Sequence, residues 1–378
     1  MKSDRFDVLD SWRGICACMV ALYHFRVVSH ISDIGLINAS YLFVDFFFVL
    51  SGFVIAANYQ HRLADGFGAG RFLILRLGRI YPLHFAMMLP FLAIDAVKDG
   101  VGSQFWQALT TNVLLIHGFG VNLGLWLNFP SWSISTEFAA YLVFALIIPF
   151  AGRSILPWLV PIFAGPVILG KVSAFGMAST FDLGVIRCLE GFALGIICFR
   201  LREIFPGLTR RSSPVLDSFL EIVAIGGTAL YLTVFWDQVR SYLLVVPFLF
   251  AVVVLVFARQ AGVVSKLLSA RPFLFVGTLS YSIYLVHALV RSVSRAAAKV
   301  FEHFAGVELF TMDYSQWWSE PGLILTFGGN LWLGDLSQLV MLGVTIVLAY
   351  FTYRYIEEPG RIWSRNLAKK KGPVIAQA

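Results

Sequence analysis

Arg13 and His24 stand eleven residues apart in one apolar stretch, LDSWRGICACMVALYHFRVV, spanning 9–28. At 100° per residue, eleven steps make three turns plus about 20°. Both side chains therefore fall on one helix face, roughly 16 Å apart along its axis. A guanidinium and an imidazole on one face of a membrane helix are costly unless they line a polar cavity, which makes them candidates for chemistry. Imidazole can take a proton from a hydroxyl near neutral pH, and guanidinium can hold an oxyanion. The plainer alternative is an arginine that snorkels to the membrane surface and a histidine bonded to a neighbouring helix.

Four further groups have chemistry-bearing types at helical spacing. Arg76 and Arg79, in RLGRIYP, are three apart and share a helix face. Two forked guanidiniums at a membrane mouth suit a phosphate-bearing ligand, and they also serve as a topology signal and a contact for anionic lipid. Asp45, in VDFFFVLSGFVI, is an acid within an apolar run; it could pair with a cation such as Arg26, orient His24, or sit in water at the interface. Ser51-Gly52 in the same run allows a close helix approach or a local kink. In PSWSISTEF, Ser133 and Glu137 form an i, i+4 pair about one turn into the membrane, where a carboxylate is either paired or suited to acid–base work. The alternative for Glu137 is an acid favoured by a helix N-terminus. Ser280, Tyr284 and His287, in LSYSIYLVH, make a polar stripe on an otherwise apolar helix, with His287 at the depth of His24. Glu357, Glu358 and Pro359 are expected to close the last span. The cysteines (Cys16, Cys18, Cys188, Cys198) lie in apolar stretches without zinc spacing, so they are expected to pack rather than ligate, and no metal site is expected.

Membrane helices must position these groups. Of 378 residues, 58% are hydrophobic and 13% charged, where a soluble domain carries roughly 25% charged residues. Long continuous apolar runs point to an all-α polytopic membrane protein rather than a β-barrel. Apolar stretches fall near 9–28, 41–58, 80–97, 105–119, 132–150, 155–170, 184–200, 215–235, 241–258, 273–292 and 335–355. The basic connections at 59–79, 200–214 and 259–272 and the basic tail all reach one side only if one early stretch fails to cross. The stretch 105–119 is short and holds Gln107, Thr110, Thr111, Asn112 and His117, so it is read as re-entrant or interfacial. About ten transmembrane helices remain, with both termini and every basic loop cytoplasmic and the longest outer loop at 293–334. A single membrane domain over 1–358 and a basic cytoplasmic tail over 359–378 are expected, with no cleavable signal peptide. The net charge of +7 is accounted for by these loops, and nucleic acid is not expected as a partner. Trp126, Trp132, Trp317 and Trp318 could stack on sugar rings, and an interfacial aromatic belt is the preferred reading.

This layout puts arginines at the inner mouth and two histidines and a glutamate in the outer half. Such polarity suits a donor rich in phosphate, taken from the cytoplasm and presented to an acceptor on the far side; a coenzyme A thioester has that form.

Taken together, LDSWRG with Arg13 and His24, VDFFFVLSGF, RLGRIYPLH, SWSISTEF, LSYSIYLVH and the closing IEEP resemble the acyltransferase type 3 family of integral membrane O-acyltransferases. They occur in that family's order over nearly all of the chain. LDSWRG stands where the family usually reads LDGLRG, a change expected to affect packing or acceptor fit. The resemblance implies ten core helices, an acyl-CoA donor (acetyl-CoA expected) and acylation of a hydroxyl on an extracytoplasmic glycan or lipid-linked saccharide. It also implies a place in the bacterial inner membrane, among membrane lipids. It assigns Arg13 and His24 as essential and the Arg76–Arg79 pair to the donor. The C-terminal extracytoplasmic hydrolase-like domain that some members carry is not expected here, so the core would act alone or with a separate partner.

On that footing His24 is the expected general base, or itself the acyl carrier, with Glu137 or Asp45 orienting it. Arg13 joins Arg76 and Arg79 in holding the donor, while Ser133, Tyr284 and His287 serve the acceptor or support the site. A proton-coupled transporter and an acyltransferase acting on a small secreted metabolite are the other readings. Absence of a detectable repeat or of paired broken helices weighs against the transporter.

Overall fold

A computed structural model of the chain describes residues 6–98, 100–208, 212–238, 240–313 and 322–370. Twelve helices longer than ten residues make up most of them: α1 Asp7–Phe25, α2 Phe43–Ile55, α3 Ala69–Lys98, α4 Ser103–Val113, α5 Trp132–Ala151, α6 Leu156–Lys171, α7 Gly184–Ile204, α8 Pro214–Phe235, α9 Val246–Phe257, α10 Arg271–Ala305, α11 Leu331–Thr352 and α12 Glu358–Lys370. Side chains such as Leu146, Phe150, Phe163, Phe219 and Leu230 are exposed on the outside of the bundle. A surface of that kind is stable in hydrocarbon, where every spanning helix satisfies its own backbone.

Seven helical stretches are long and apolar enough to cross a membrane: Gly35–Ala64, Ala69–Lys98, Phe129–Ala151, Pro214–Phe235, Arg240–Phe257, Arg271–Ala305 and Leu331–Lys369. Three more of the ten expected spans fall on α1, α6 and α7. Helix α6 is apolar but 16 residues long. Helices α1 and α7 have 19 and 21 residues, and each carries charge within its apolar sequence: Asp10 and Arg13 in α1, Arg187 and Glu190 in α7. Between α3 and α5 lies only the 11-residue α4, too short to cross, where the sequence placed a short extra segment.

Helix α1 packs chiefly on α10. It runs parallel to α10, and the two cross where Gly14 meets Gly277. A Cβ on Gly14 would stand 2.5 Å from the Gly277 nitrogen, and one on Gly277 would stand 2.5 Å from the Asp10 carbonyl oxygen. Only glycine permits backbones that near. A second close crossing joins α2 to α7 through Gly52 and Gly195; a Cβ on either would reach 2.0 Å from a carbonyl oxygen opposite. Of the two expectations for Ser51-Gly52, a close approach or a kink, this is the close approach.

Three features depart from the sequence reading. Helix α10 continues to Ala305, well past the span end expected at 292. The loop after it carries an antiparallel pair, β1 Phe310–Asp313 and β2 Gly322–Leu325, with Phe310 opposite Leu325. Residues after α1 add to this hairpin: Val28 N–H donates to the Leu325 carbonyl at 2.8 Å, and Leu325 N–H donates to the Arg26 carbonyl at 3.1 Å. Finally, Glu357-Glu358-Pro359 does not end the helical chain. A π-helical turn, Tyr353–Glu357, leads from α11 into α12. Pro359 is the second residue of α12, where no N–H is needed. Helix α12 docks on α3, with Ser364 over Gly78 and Gly360 against Pro82.

Candidate active site

A cavity of about 500 Å³ opens at one end of the bundle, between α1, α2, α3, α5, α10 and α12. Ligand sites typically have this size. Arg13, Arg76, Arg79, Ser133, Glu137 and Tyr284 all line it, so six of the nine residues expected to serve catalysis, the donor or the acceptor share one space. Arg361 and Arg365 line it too. These two fall in the basic tail, where nothing in a run of basic residues tells that α12 folds back onto α3. Both π-helical turns of the chain's described residues, 56–60 and 353–357, border this mouth, placing Asn58, Tyr353 and Glu357 on its wall. Such turns recur at functional sites because they re-aim side chains.

The charges at the mouth are unevenly matched. Arg13 donates from Nε to Ser280 Oγ at 2.7 Å and lies 3.5 Å from Asp10. Glu358 lies 3.3 Å from Arg361 and 3.4 Å from Arg365. Glu357, 2% exposed, accepts from Ser282 at 2.9 Å. Arg76 donates to the Tyr59 hydroxyl at 3.0 Å and stacks over its ring. Neither Arg76 nor Arg79 has a carboxylate within ion-pair distance among the described residues, and Arg79 makes no hydrogen bond there. Both guanidiniums line the cavity, whose wall also carries Asp10, Glu137 and Glu357; forked donors of this kind suit an oxyanion.

Glu137 sits on the cavity wall, accepting from Ser51 Oγ at 2.6 Å and from the Tyr141 hydroxyl at 2.5 Å. Asp45 lies elsewhere. It is fully buried and paired with Arg187 of α7, which donates from Nε to Oδ1 at 2.8 Å and from a terminal nitrogen to Oδ2 at 2.7 Å. Arg187 also donates to the Ser179 carbonyl at 3.0 Å and stacks over the Trp132 ring. Asp45 thus ties α2 to α7 instead of meeting Arg26, whose partner is Asp313 at 2.6 Å. Trp132, 5% exposed, is a buried platform for Arg187 and not a belt residue. Trp317 and Trp318 lie outside the described residues.

His24 meets neither carboxylate. Its Nδ1 lies 3.2 Å from His287 Nε2, and the two rings stack with centroids 5.1 Å apart and planes 19° from parallel. Phe129 closes on both rings edge-on, at 4.9 Å from His24 and 5.8 Å from His287. His24 Nε2 has no hydrogen-bond partner among the described residues. The same α1–α10 crossing therefore sets both the Arg13–Ser280 bond and the His24–His287 pair. Where the sequence offered Glu137 or Asp45 to orient His24, the fold supplies a second imidazole.

The cavity stops short of this pair. At its inner end Ser133 Oγ lies 3.0 Å from the Tyr284 hydroxyl, which donates to the Pro130 carbonyl at 3.1 Å. Tyr284 is three residues before His287, about 4.5 Å along α10. Ser133 and Tyr284 thus form the partition between the arginine-lined cavity and the histidines. Among the described residues no cluster of metal-ligating side chains occurs.

A family model described as an acyltransferase domain, Acyl_transf_3, matches residues 6–354. The chain is 24% identical to O-acetyltransferase OatA of Staphylococcus aureus over 311 residues, which cover 74% of this chain and 49% of that protein. It is 27% identical to acyltransferase MdmB of Streptomyces mycarofaciens over 376 residues, covering 92% of this chain and 88% of that protein. It is 23% identical to peptidoglycan O-acetyltransferase OatA of Listeria monocytogenes over 404 residues, covering 93% of this chain and 55% of that protein. This chain thus spans about half the length of the OatA relatives that it matches. No solved structure matches it. With the family match running from α1 into the π turn before α12, the chain belongs to the membrane acyltransferase family Acyl_transf_3.

Proposed function

We propose that this chain takes an acyl group, acetyl in the first instance, from acyl-CoA at the Arg76–Arg79 mouth and passes it to a hydroxyl that reaches His24 from the other end of the bundle. One observation carries the reading: two arginines with no ion pair among the described residues open onto a cavity that ends one helical turn from a paired, partly accessible histidine. In this reading the donor's phosphates lie against Arg76, Arg79, Arg361 and Arg365, and Arg13 holds the pyrophosphate nearer the interior. The thioester arm extends past Ser133 and Tyr284, whose partition gives way as the arm enters.

His24 Nε2 then accepts the proton of the acceptor hydroxyl while its oxygen attacks the thioester carbonyl. The C–S bond breaks, and the leaving thiolate takes the proton back from the imidazolium. His287 fixes the ring and shares its charge. The variant step, attack by His24 itself to give an acyl-imidazole that the hydroxyl then opens, uses the same geometry. Glu137 acts within the cavity, held by Ser51 and Tyr141, and Asp45 acts on structure through Arg187.

The name of the Listeria relative gives peptidoglycan as what that protein acetylates, and we take an extracytoplasmic glycan or lipid-linked saccharide as the acceptor class here. The mouth then faces the cytoplasm, with both termini on that side of a bacterial inner membrane.

The test is release of free coenzyme A from acetyl-CoA by purified protein in liposomes, with and without His24→Gln. Release by wild type and its loss in the variant, with donor binding kept, are expected. Equal release by both would remove His24 from the chemistry, and no binding of acyl-CoA by wild type would end the donor assignment.

A further inference from the structure

Beyond His287, the polar stripe of α10 continues as Arg291 and Arg295, at steps of four residues that keep one helix face. Arg291 has its guanidinium over the Phe129 ring, 5.3 Å from the centroid. The same ring carries His24 and His287 on its edges. Two imidazoles and one guanidinium thus surround a single aromatic ring.

Of the three cations near this point, only Arg26 has an acid within ion-pair distance among the described residues. Arg26 is paired with Asp313 of β1, and Arg295 donates to the Leu323 carbonyl of β2 at 2.7 Å. Both are tied to the hairpin. Arg291 makes no hydrogen bond or ion pair among the described residues, and its Nε is buried without a partner. Arg295 stands four residues on along the same face of α10, and the hairpin that holds it holds Arg26 as well. A partly buried cation among like charges is costly unless an anion arrives. The cost rises when the neighbouring His24 takes up a proton, because a second positive charge then gathers at the same ring.

We infer that Arg291 is the anion-binding subsite for the acceptor: it takes a carboxylate or phosphate oxyanion carried by the molecule whose hydroxyl reaches His24. The inference rests on the reading that the acceptor enters at the His24 end, and it narrows the acceptor to an anionic one. A bound oxyanion balances Arg291 and favours the imidazolium that proton transfer creates, so binding and chemistry are coupled through Phe129. The same oxyanion chemistry is offered by phospholipid headgroups, and the experiment separates the two sources.

Protein in phosphatidylcholine liposomes is treated with phenylglyoxal, which modifies free guanidinium groups, and the adduct at Arg291 is followed by mass spectrometry. Glucuronate and inorganic phosphate are the probes, with neutral glucose as the control and liposomes rich in phosphatidylglycerol as the lipid arm. Arg291 should be labelled in phosphatidylcholine. Either soluble anion at ten times its dissociation constant should slow that labelling about tenfold, and glucose should leave it unchanged. Protection by phosphatidylglycerol alone would make Arg291 a lipid contact and overturn the acceptor assignment. No labelling in any condition, or labelling indifferent to anions, would overturn the site. The readout needs no turnover, so its failure is distinct from failure of the transfer reaction at His24.

Discussion

Replacing Gly277 by alanine adds one methyl group to α10, away from every group proposed to do chemistry. Its Cβ would lie 2.5 Å from the Asp10 carbonyl oxygen, where ordinary contact begins at 3.4 Å. The helices must part by the difference, 3.4 − 2.5, or about 0.9 Å. If α1 and α10 separate as rigid bodies, the Arg13–Ser280 distance of 2.7 Å grows to about 3.6 Å and the His24–His287 distance of 3.2 Å to about 4.1 Å, both beyond hydrogen-bonding reach. A misplacement of that size in a catalytic group costs on the order of 10²-fold in rate. Gly277→Ala is therefore expected to lower coenzyme A release about 100-fold while the protein still elutes and melts as a folded membrane protein. Gly227→Ala on α8 is the control, because nothing lies within 4 Å of its new methyl group. A Gly277→Ala protein with wild-type rate and wild-type stability would refute the claim that this crossing positions the site. So would an equal loss in the control.

Three further outcomes are expected. Arg76→Gln and Arg79→Gln should each raise KM for acetyl-CoA about 10- to 100-fold, the worth of one charged hydrogen bond, with little change in kcat; the reverse pattern would place these arginines in the chemical step. Asp45→Asn or Arg187→Met should each destabilise the fold by about 3–5 kcal/mol by leaving a buried charge alone, and the double change Asp45→Leu with Arg187→Met should regain most of that in thermal unfolding. Should the double variant be as unstable as the singles, the pair is not the source of the loss. His287→Asn should lower kcat by roughly 10²-fold, within the range of acid–base catalysis, and leave donor affinity unchanged; an unchanged kcat would show that His24 needs no second imidazole.

Much of the site was legible in the sequence because each helix carries its own period. The eleven-residue spacing of Arg13 and His24, the i, i+3 arginines of α3 and the i, i+4 pair Ser133–Glu137 each predict a shared face, and Arg13, Arg76, Arg79, Ser133 and Glu137 do face one cavity. The partners were not legible, because they depend on which helix lies opposite. Asp45 finds Arg187, 142 residues away, and His24 finds His287, 263 residues away. Spacing within a helix says nothing about either. The basic tail gave no sign of docking, since what lets α12 onto α3 is the missing side chain at Gly78. The short strands after α10 were hidden for a related reason: Phe310–Asp313 is too brief to show a period, and it is held in part by backbone bonds between β2 and the residues after α1.

The central claim is that the donor enters at the arginine mouth and is consumed at a histidine reached from the other end. Helix α12 lends Arg361 and Arg365 to that mouth, so a tag at the C-terminal end of the chain can report on which side the mouth opens. The most direct measurement uses vesicles sorted by protease access to this tag, with acetyl-CoA supplied outside only. Vesicles with the tag outside are expected to release coenzyme A, and vesicles with the tag enclosed are expected to release none. Equal release from both populations, or release from the enclosed-tag vesicles alone, would contradict the account.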